Sequence, residues 1–213
     1  MRGACLLGLV GWLSLSSVVR AELGEDGFVL HNQVSRDVFT RLLLWDHPRR
    51  EWRVARAGEQ PGQTAPILVV HLWADYCKPC RTEFPLLRDM VQTFAKSHPG
   101  QVEFVFLSET TSSIEMYQFL KSAEDRMPRT PLFQDTGEVL AQMVRTSCPS
   151  GQLTLPATLV VDEQRIVRQV VLGSMIEKRT ALIAGITKLA ALARRTPAPA
   201  NPSTASRRTV LSP

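Results

Sequence analysis

Apolar residues run almost unbroken from Ile67 to Trp73, with His71 the only polar interruption. A short run of that kind fits a central parallel strand buried on both faces. The periodicity then changes. Phe84, Leu87, Val91 and Phe94 recur at helical spacing and predict a helix over Lys78–Ser97, which His98-Pro99-Gly100 stops. Residues 102–107 read as the next strand. Ser112 or Ser113 caps a helix that holds Met116, Phe119 and Leu120. Pro131-Leu132-Phe133 is a short extended piece, and 136–145 a brief helix with Val139, Leu140 and Val144 inward. Ala157–Val161 and 166–172 form a hairpin around Asp162-Glu163-Gln164-Arg165. Residues 176–192 close the pattern as an amphipathic helix striped by Leu182, Ile183, Ile186 and Leu189. Strands alternating with helices, then a hairpin and a helix, predict an α/β sandwich around a mixed sheet.

Upstream of this block the pattern is weaker. Residues 22–27 are polar. Ser35 can cap a short helix with Val38, Leu42 and Trp45 on one face, ended by His47-Pro48. Glu51-Trp52-Arg53-Val54-Ala55 alternates like an edge strand, and 58–66 is a Gly/Pro/Gln-rich connection. Residues 196–213 are rich in Pro, Ala, Ser and Thr. They lack apolar periodicity and are expected to be a disordered tail. The expected organisation is 1–21 a signal segment, 22–64 a lead-in, 65–193 the folded domain and 194–213 a basic tail.

The candidate chemistry lies where the strand pattern gives way to the helix. Cys77-Lys78-Pro79-Cys80 occupies that junction. Two cysteines two residues apart can close a small disulfide or present a reactive thiolate. Free N–H groups and the positive dipole end at a helix start favour the thiolate. Pro79 suits a first turn, where no backbone donor is needed, and Lys78 adds positive charge. A zinc site would need four ligands, and no second Cys-x-x-Cys or paired His cluster is present. Haem attachment would need His after Cys80, where the chain has Arg81. Cys77, at the helix start, is the expected nucleophile and Cys80 the resolving thiol.

The segment from Trp73 to Pro85 resembles the active-site segment of thioredoxin-fold proteins, and is most similar to exported TlpA/ResA-like thiol–disulfide oxidoreductases. Pro85 matches that family's kink proline, and Glu83 its acidic residue after the second cysteine. Leu155-Pro156-Ala157-Thr158 resembles its cis-proline loop. The resemblance covers about residues 65–190 and implies a thioredoxin-like α/β/α sandwich. It further implies that Pro156 faces the disulfide and that the Leu155 backbone pairs with an extended substrate; an ordinary trans turn proline is the plainer alternative. His71 stands where relatives often carry Asp or Asn near the resolving cysteine. It is a candidate for proton transfer, or a packed histidine. Glu83 is a candidate proton relay, or an exposed glutamate favoured by the helix dipole. Trp73 and Tyr76 would wall the site or merely pack. Relatives carry a hairpin-like lead-in, from which the 58–66 stretch departs. Cys148, in a loop longer than usual, can be inert, an intermolecular disulfide former or an accessory thiol.

Charge and compartment narrow the function. Six of the 25 basic residues lie in 1–21 and 194–213, where there are no acids; the remainder holds 19 basic and 20 acidic residues. The basic character therefore belongs to the ends, and no nucleic-acid face is indicated. Arg2, followed by an apolar stretch from Ala4 to Val19, reads as an export signal ending near Ala21, or as an uncleaved anchor. The expected protein is an exported, periplasmic or extracytoplasmic thiol–disulfide oxidoreductase. It needs no metal and no cofactor beyond a redox-active Cys77–Cys80 disulfide. Its partners are cysteine-containing protein substrates, a thiol electron donor or acceptor, and a possible membrane-bound redox partner. A copper-handling chaperone of the same fold and a non-enzymatic docking module are the alternatives. A peroxidase fits poorly, because Cys-x-x-Cys replaces a lone peroxidatic cysteine.

Overall fold

The computed structural model describes residues 33–34, 36–63, 65–109, 111–123, 126–137 and 154–194. Its frame is one seven-stranded mixed sheet, built from β1 (Leu43–Asp46), β2 (Glu51–Val54), β3 (Ile67–Trp73), β4 (Val102–Ser108), β5 (Leu132–Gln134), β6 (Ala157–Val161) and β7 (Val167–Leu172). The spatial order is β2-β1-β5-β4-β3-β6-β7. β3, β4 and β5 run parallel, while β6, β7, β1 and β2 join antiparallel. Every residue of β3 is buried, as its unbroken apolar run predicts for a strand covered on both faces.

The pleat of β3 divides the core. Ile67, Val69 and Trp73 face α1 (Lys78–Ser97), α2 (Ser113–Ala123) and α3 (Arg179–Ala193), packing with Phe84, Leu87 and Leu182. Leu68, Val70 and Leu72 face the other way, against Val105, Leu159 and the N-terminal Val38 and Leu42. α1 forms where its spacing predicts, although Met90 rather than Val91 occupies the buried stripe. Ser112 and Glu115 cap α2 reciprocally: the Glu115 amide donates to Ser112 Oγ at 3.2 Å and the Ser112 amide to Glu115 Oε2 at 3.0 Å.

Three sequence expectations are corrected. The helix expected over 35–45 is a 3-10 turn, Arg36–Phe39, followed by strand β1. Val38, Leu42 and Trp45 are all buried, but the last two are held by strand pairing rather than by a helix. The Ala55 amide donates to Leu42 O at 3.1 Å, and Trp45 sits opposite Trp52 with ring centroids 5.2 Å apart. A hairpin lead-in is therefore present, and His47-Pro48 lies in its turn. β1 also pairs with β5, which ties the lead-in to the main sheet. The last helix begins at Arg179 rather than at 176, because residues 175–178 form a turn in which the Lys178 amide donates to Met175 O at 3.1 Å. The helix expected over 136–145 and Cys148 lie largely or wholly outside the described residues, as do 1–32 and 195–213.

Trp45 is 4 % exposed and belongs to the helix-side core. Trp45→Ala is expected to lower unfolding free energy by about 3–5 kcal/mol, the range for a large aromatic lost from a core. Denaturant titration checks this. A loss within ~0.5 kcal/mol, typical of a surface change, would mean the hairpin is peripheral.

Candidate active site

Cys77 is the N-cap of α1. Its backbone is extended (φ −73°, ψ 99°), and its sulfur accepts the Cys80 amide at 3.3 Å. That contact occupies one of the amides a helix start leaves without an intrahelical partner. Pro79 falls in the first turn. Cys77 and Cys80 form a disulfide with Cα atoms 5.3 Å apart. Cys77 keeps 7 % exposure and Cys80 none, so an incoming thiolate can meet only the Cys77 sulfur. Cys77 is thus the more accessible of the two sulfurs.

The Leu155–Pro156 peptide bond is cis. Ala157 pairs with Leu72, so the antiparallel register brings Pro156 level with Trp73, at the end of the sheet from which Cys77 emerges. Pro156 is buried, while Leu155 is half-buried and packs against both core clusters.

The two titratable candidates are both fully buried. His71 shares the helix-side face of β3, with Nδ1 3.0 Å from Thr158 Oγ1 and its ring tilted on Phe106. Its Nε2 has no hydrogen-bond partner among the described residues. Burial lowers its pKa to about 3, so the ring is neutral at any physiological pH. It is a weak base there, which favours the packed histidine over proton transfer near neutral pH.

Glu83 is not the exposed helix-start glutamate of the simpler reading. It lies on the buried side of α1, one turn after Cys80, and Oε2 accepts the Met175 amide at 3.2 Å. Burial raises its pKa to about 7, against the opposing pull of that amide and of a hydrogen bond with Ser174. A carboxyl poised there exchanges its proton near neutrality.

Trp73 is fully buried between Phe84 and Phe119, with centroids 5.3 Å and 5.2 Å away. It supports the site from beneath and offers no surface to a substrate. Tyr76 is 70 % exposed, and its hydroxyl donates to Glu109 Oε2. Sequence reasoning missed Thr158, Met175 and Glu109 as partners of these side chains. Only Thr158 leaves a trace in the sequence, since it follows Pro156 by two residues and faces His71 across the hairpin register. Among the described residues no group of three His, Cys, Asp or Glu side chains is placed to hold a metal, and no helix is long and apolar enough to cross a membrane.

No curated protein sequence matches the chain. Solved structures do. A candidate protein disulfide isomerase from Bacteroides thetaiotaomicron is 12% identical, covering 78% of this chain and 96% of its own, with a TM-score of 0.52. The thioredoxin-related protein from Neisseria meningitidis serogroup B is 24% identical over 73% of this chain and 100% of its own, with a TM-score of 0.48. The dsbF protein of Mycobacterium tuberculosis is 28% identical over 59% of this chain and 81% of its own, with a TM-score of 0.43. The first of these carries the fold assignment. The sequence model of the AhpC/TSA family matches residues 56–170, which include β3, the Cys77–Cys80 pair and the Pro156 loop. That match spans more than half of the sequence, and the chain belongs to the AhpC/TSA family of thioredoxin-fold proteins.

Proposed function

We propose that this protein is an exported thiol–disulfide oxidoreductase that reduces, or relays electrons to, protein disulfides. The observation that carries the reading is the asymmetric pair. An N-capping sulfur with some exposure is bonded to a fully buried one, at the sheet end that also holds the cis Leu155–Pro156 bond. In the reduced protein the Cys77 thiolate attacks one sulfur of a partner disulfide. A mixed disulfide forms and the partner's other sulfur leaves as thiolate. Cys80 then loses its proton and attacks the Cys77 sulfur, releasing the second partner thiolate and regenerating the Cys77–Cys80 bond. Two electrons pass to the partner, whose thiolates take up protons. Glu83, buried one helical turn after Cys80, is the candidate acceptor for the Cys80 proton near pH 7. The Leu155 backbone is the candidate edge for an extended partner segment. Export rests on the Arg2-led apolar N-terminus.

The reducing direction rests chiefly on the resemblance to the TlpA/ResA-like oxidoreductases, and the local charge adds to it. An ionisable carboxyl beside the thiols opposes a strongly stabilised Cys77 thiolate, and such a thiolate is what makes an oxidant of this fold. Lys78 pulls the other way but is exposed. The Cys77–Cys80 reduction potential in a glutathione or dithiothreitol buffer is expected at or below about −200 mV. A value near about −120 mV would reject the reducing role.

Trapping tests the order of attack. Cys77→Ser should abolish exchange, whereas Cys80→Ser should accumulate mixed disulfides with partner proteins. Equal trapping by both, or alkylation of Cys80 before Cys77 in the reduced protein, would reverse the assignment.

Glu83 makes stability depend on pH with a definite sign. Its folded pKa of about 7 lies above its ordinary value of 4.5. Its contribution to folding is therefore complete below about pH 4.5 and lost as pH rises through 7. Glu83→Gln keeps an acceptor for the Met175 amide and removes the charge. The variant is expected to gain on the native protein between pH 5 and 8, by up to on the order of 3 kcal/mol. His71 acts oppositely, since stability is lost as pH falls from 6.5 toward about 3, but it is present in both proteins and cancels in the difference. Parallel stability–pH curves for the two proteins would show that Glu83 does not titrate in this range.

A further inference from the structure

A cleft of about 620 Å³ opens beside the disulfide, between the first two turns of α1 and the C-terminal end of α2. Its rim carries Lys78, Arg81 and Arg126, with Thr82 between them, over a floor that includes Phe84 and Pro85. No acidic side chain lines it among the described residues, and none of the three cations forms an ion pair there. Lys78 and Arg81 carry most of the weight, because Arg126 follows Glu124 and Asp125, which lie outside the described residues. The first turn of α1 holds no acid either, so its positive dipole end adds to the same field. On the N-terminal side of Cys77 the charge is opposite: Asp75 precedes it, and Tyr76 bonds Glu109. The accessible sulfur thus sits between an acidic and a basic flank.

We infer that this cleft selects partner polypeptides whose reactive cysteine has acidic residues within a few positions of it. The inference deepens the oxidoreductase reading and rests on it. Lys78 is the residue next to Cys77, and Arg81 lies about 6 Å along the helix axis from it at 1.5 Å per residue. An extended partner advances about 3.3 Å per residue, so a carboxylate two or three positions from its cysteine would lie over the cleft. Three exposed cations favour such a segment chiefly by steering encounter and fixing orientation. A nucleic acid is a poor occupant, since apart from its two ends the chain holds no excess of basic residues.

Short disulfide-linked peptides that differ only in the residues flanking the cysteine test this: acidic, neutral or basic. Initial exchange rates with the reduced full-length protein are compared at low and moderate salt. The acidic peptide should react about tenfold faster than the neutral one at low salt, with the advantage shrinking as salt is added. Lys78→Gln combined with Arg81→Gln should bring the acidic-to-neutral ratio close to one. Arg81→Glu should turn the preference toward the basic peptide. Lys96→Gln, at the far end of α1, should leave the ratio as in the native protein. Equal rates for all three peptides, or a preference that survives the double substitution, would overturn the inference and leave the oxidoreductase reading standing. No exchange with any peptide would overturn both.

Discussion

The burial of β3 on both faces is the constraint from which the site follows. A strand with no exposed residue cannot end in a wide solvent-facing turn without uncovering apolar surface. The chain leaves it at Trp73, the Cys77 amide donates to Ala74 O at 3.1 Å, and α1 starts at Lys78. Cys77 is thereby fixed as an N-cap, with its sulfur set against the free amides of the first turn. The same burial keeps β6 beside β3, and its register sets Pro156 level with Trp73. Both halves of the site are thus attached to one strand pair.

Beneath this site the protein holds two ionisable groups out of water. They are handled differently. His71 has one partner, Thr158, and burial drives it to the neutral form. It works as a polar rivet between β3 and β6, the two strands that lead to the cysteines and away from Pro156. Glu83 keeps one amide partner on Oε2 and leaves Oε1 without one among the described residues. A buried carboxyl in that state is costly when ionised and can donate when protonated, which places its titration near neutrality. Of the pair, the acid on the helix is the one proposed to handle protons, while burial holds the imidazole on the strand neutral.

The central half of the molecule was legible because local pattern and tertiary role agree there. The Ile67–Trp73 run, the helical spacing after it and the hairpin at residues 157–172 each carry one period, and the packing uses it. The cysteine motif was legible for the same reason, since the end of a buried strand and the start of a helix are both local signals. The lead-in was not. Val38, Leu42 and Trp45 have helical spacing, but β1 is held by pairing with β2 and with β5, about ninety residues downstream, which no local window contains. Glu83 was ambiguous for a related cause. A glutamate early in a helix is ordinarily solvated, and what buries this one includes the loop at Met175, 92 residues away in sequence.

The charge around Cys77 adds a consequence for how partners meet the site. The sulfur is 7 % exposed, so exchange demands close approach of a partner's backbone, and orientation limits productive encounters more than collision does. Tyr76 is an exposed aromatic just before Cys77 in the sequence, while Lys78 and Arg81 follow it as exposed cations. An aromatic before the nucleophile and cations after it offer different chemistry to an approaching strand. A partner segment that is apolar before its cysteine and acidic after it, or the reverse, meets matched surfaces in only one direction. In the proposed function, the Leu155 edge takes a partner strand through backbone groups that carry no sequence information. Under the proposed reading, selectivity rests on the first turns of α1 and the Tyr76 side chain, and exchange chemistry on the parts beneath them.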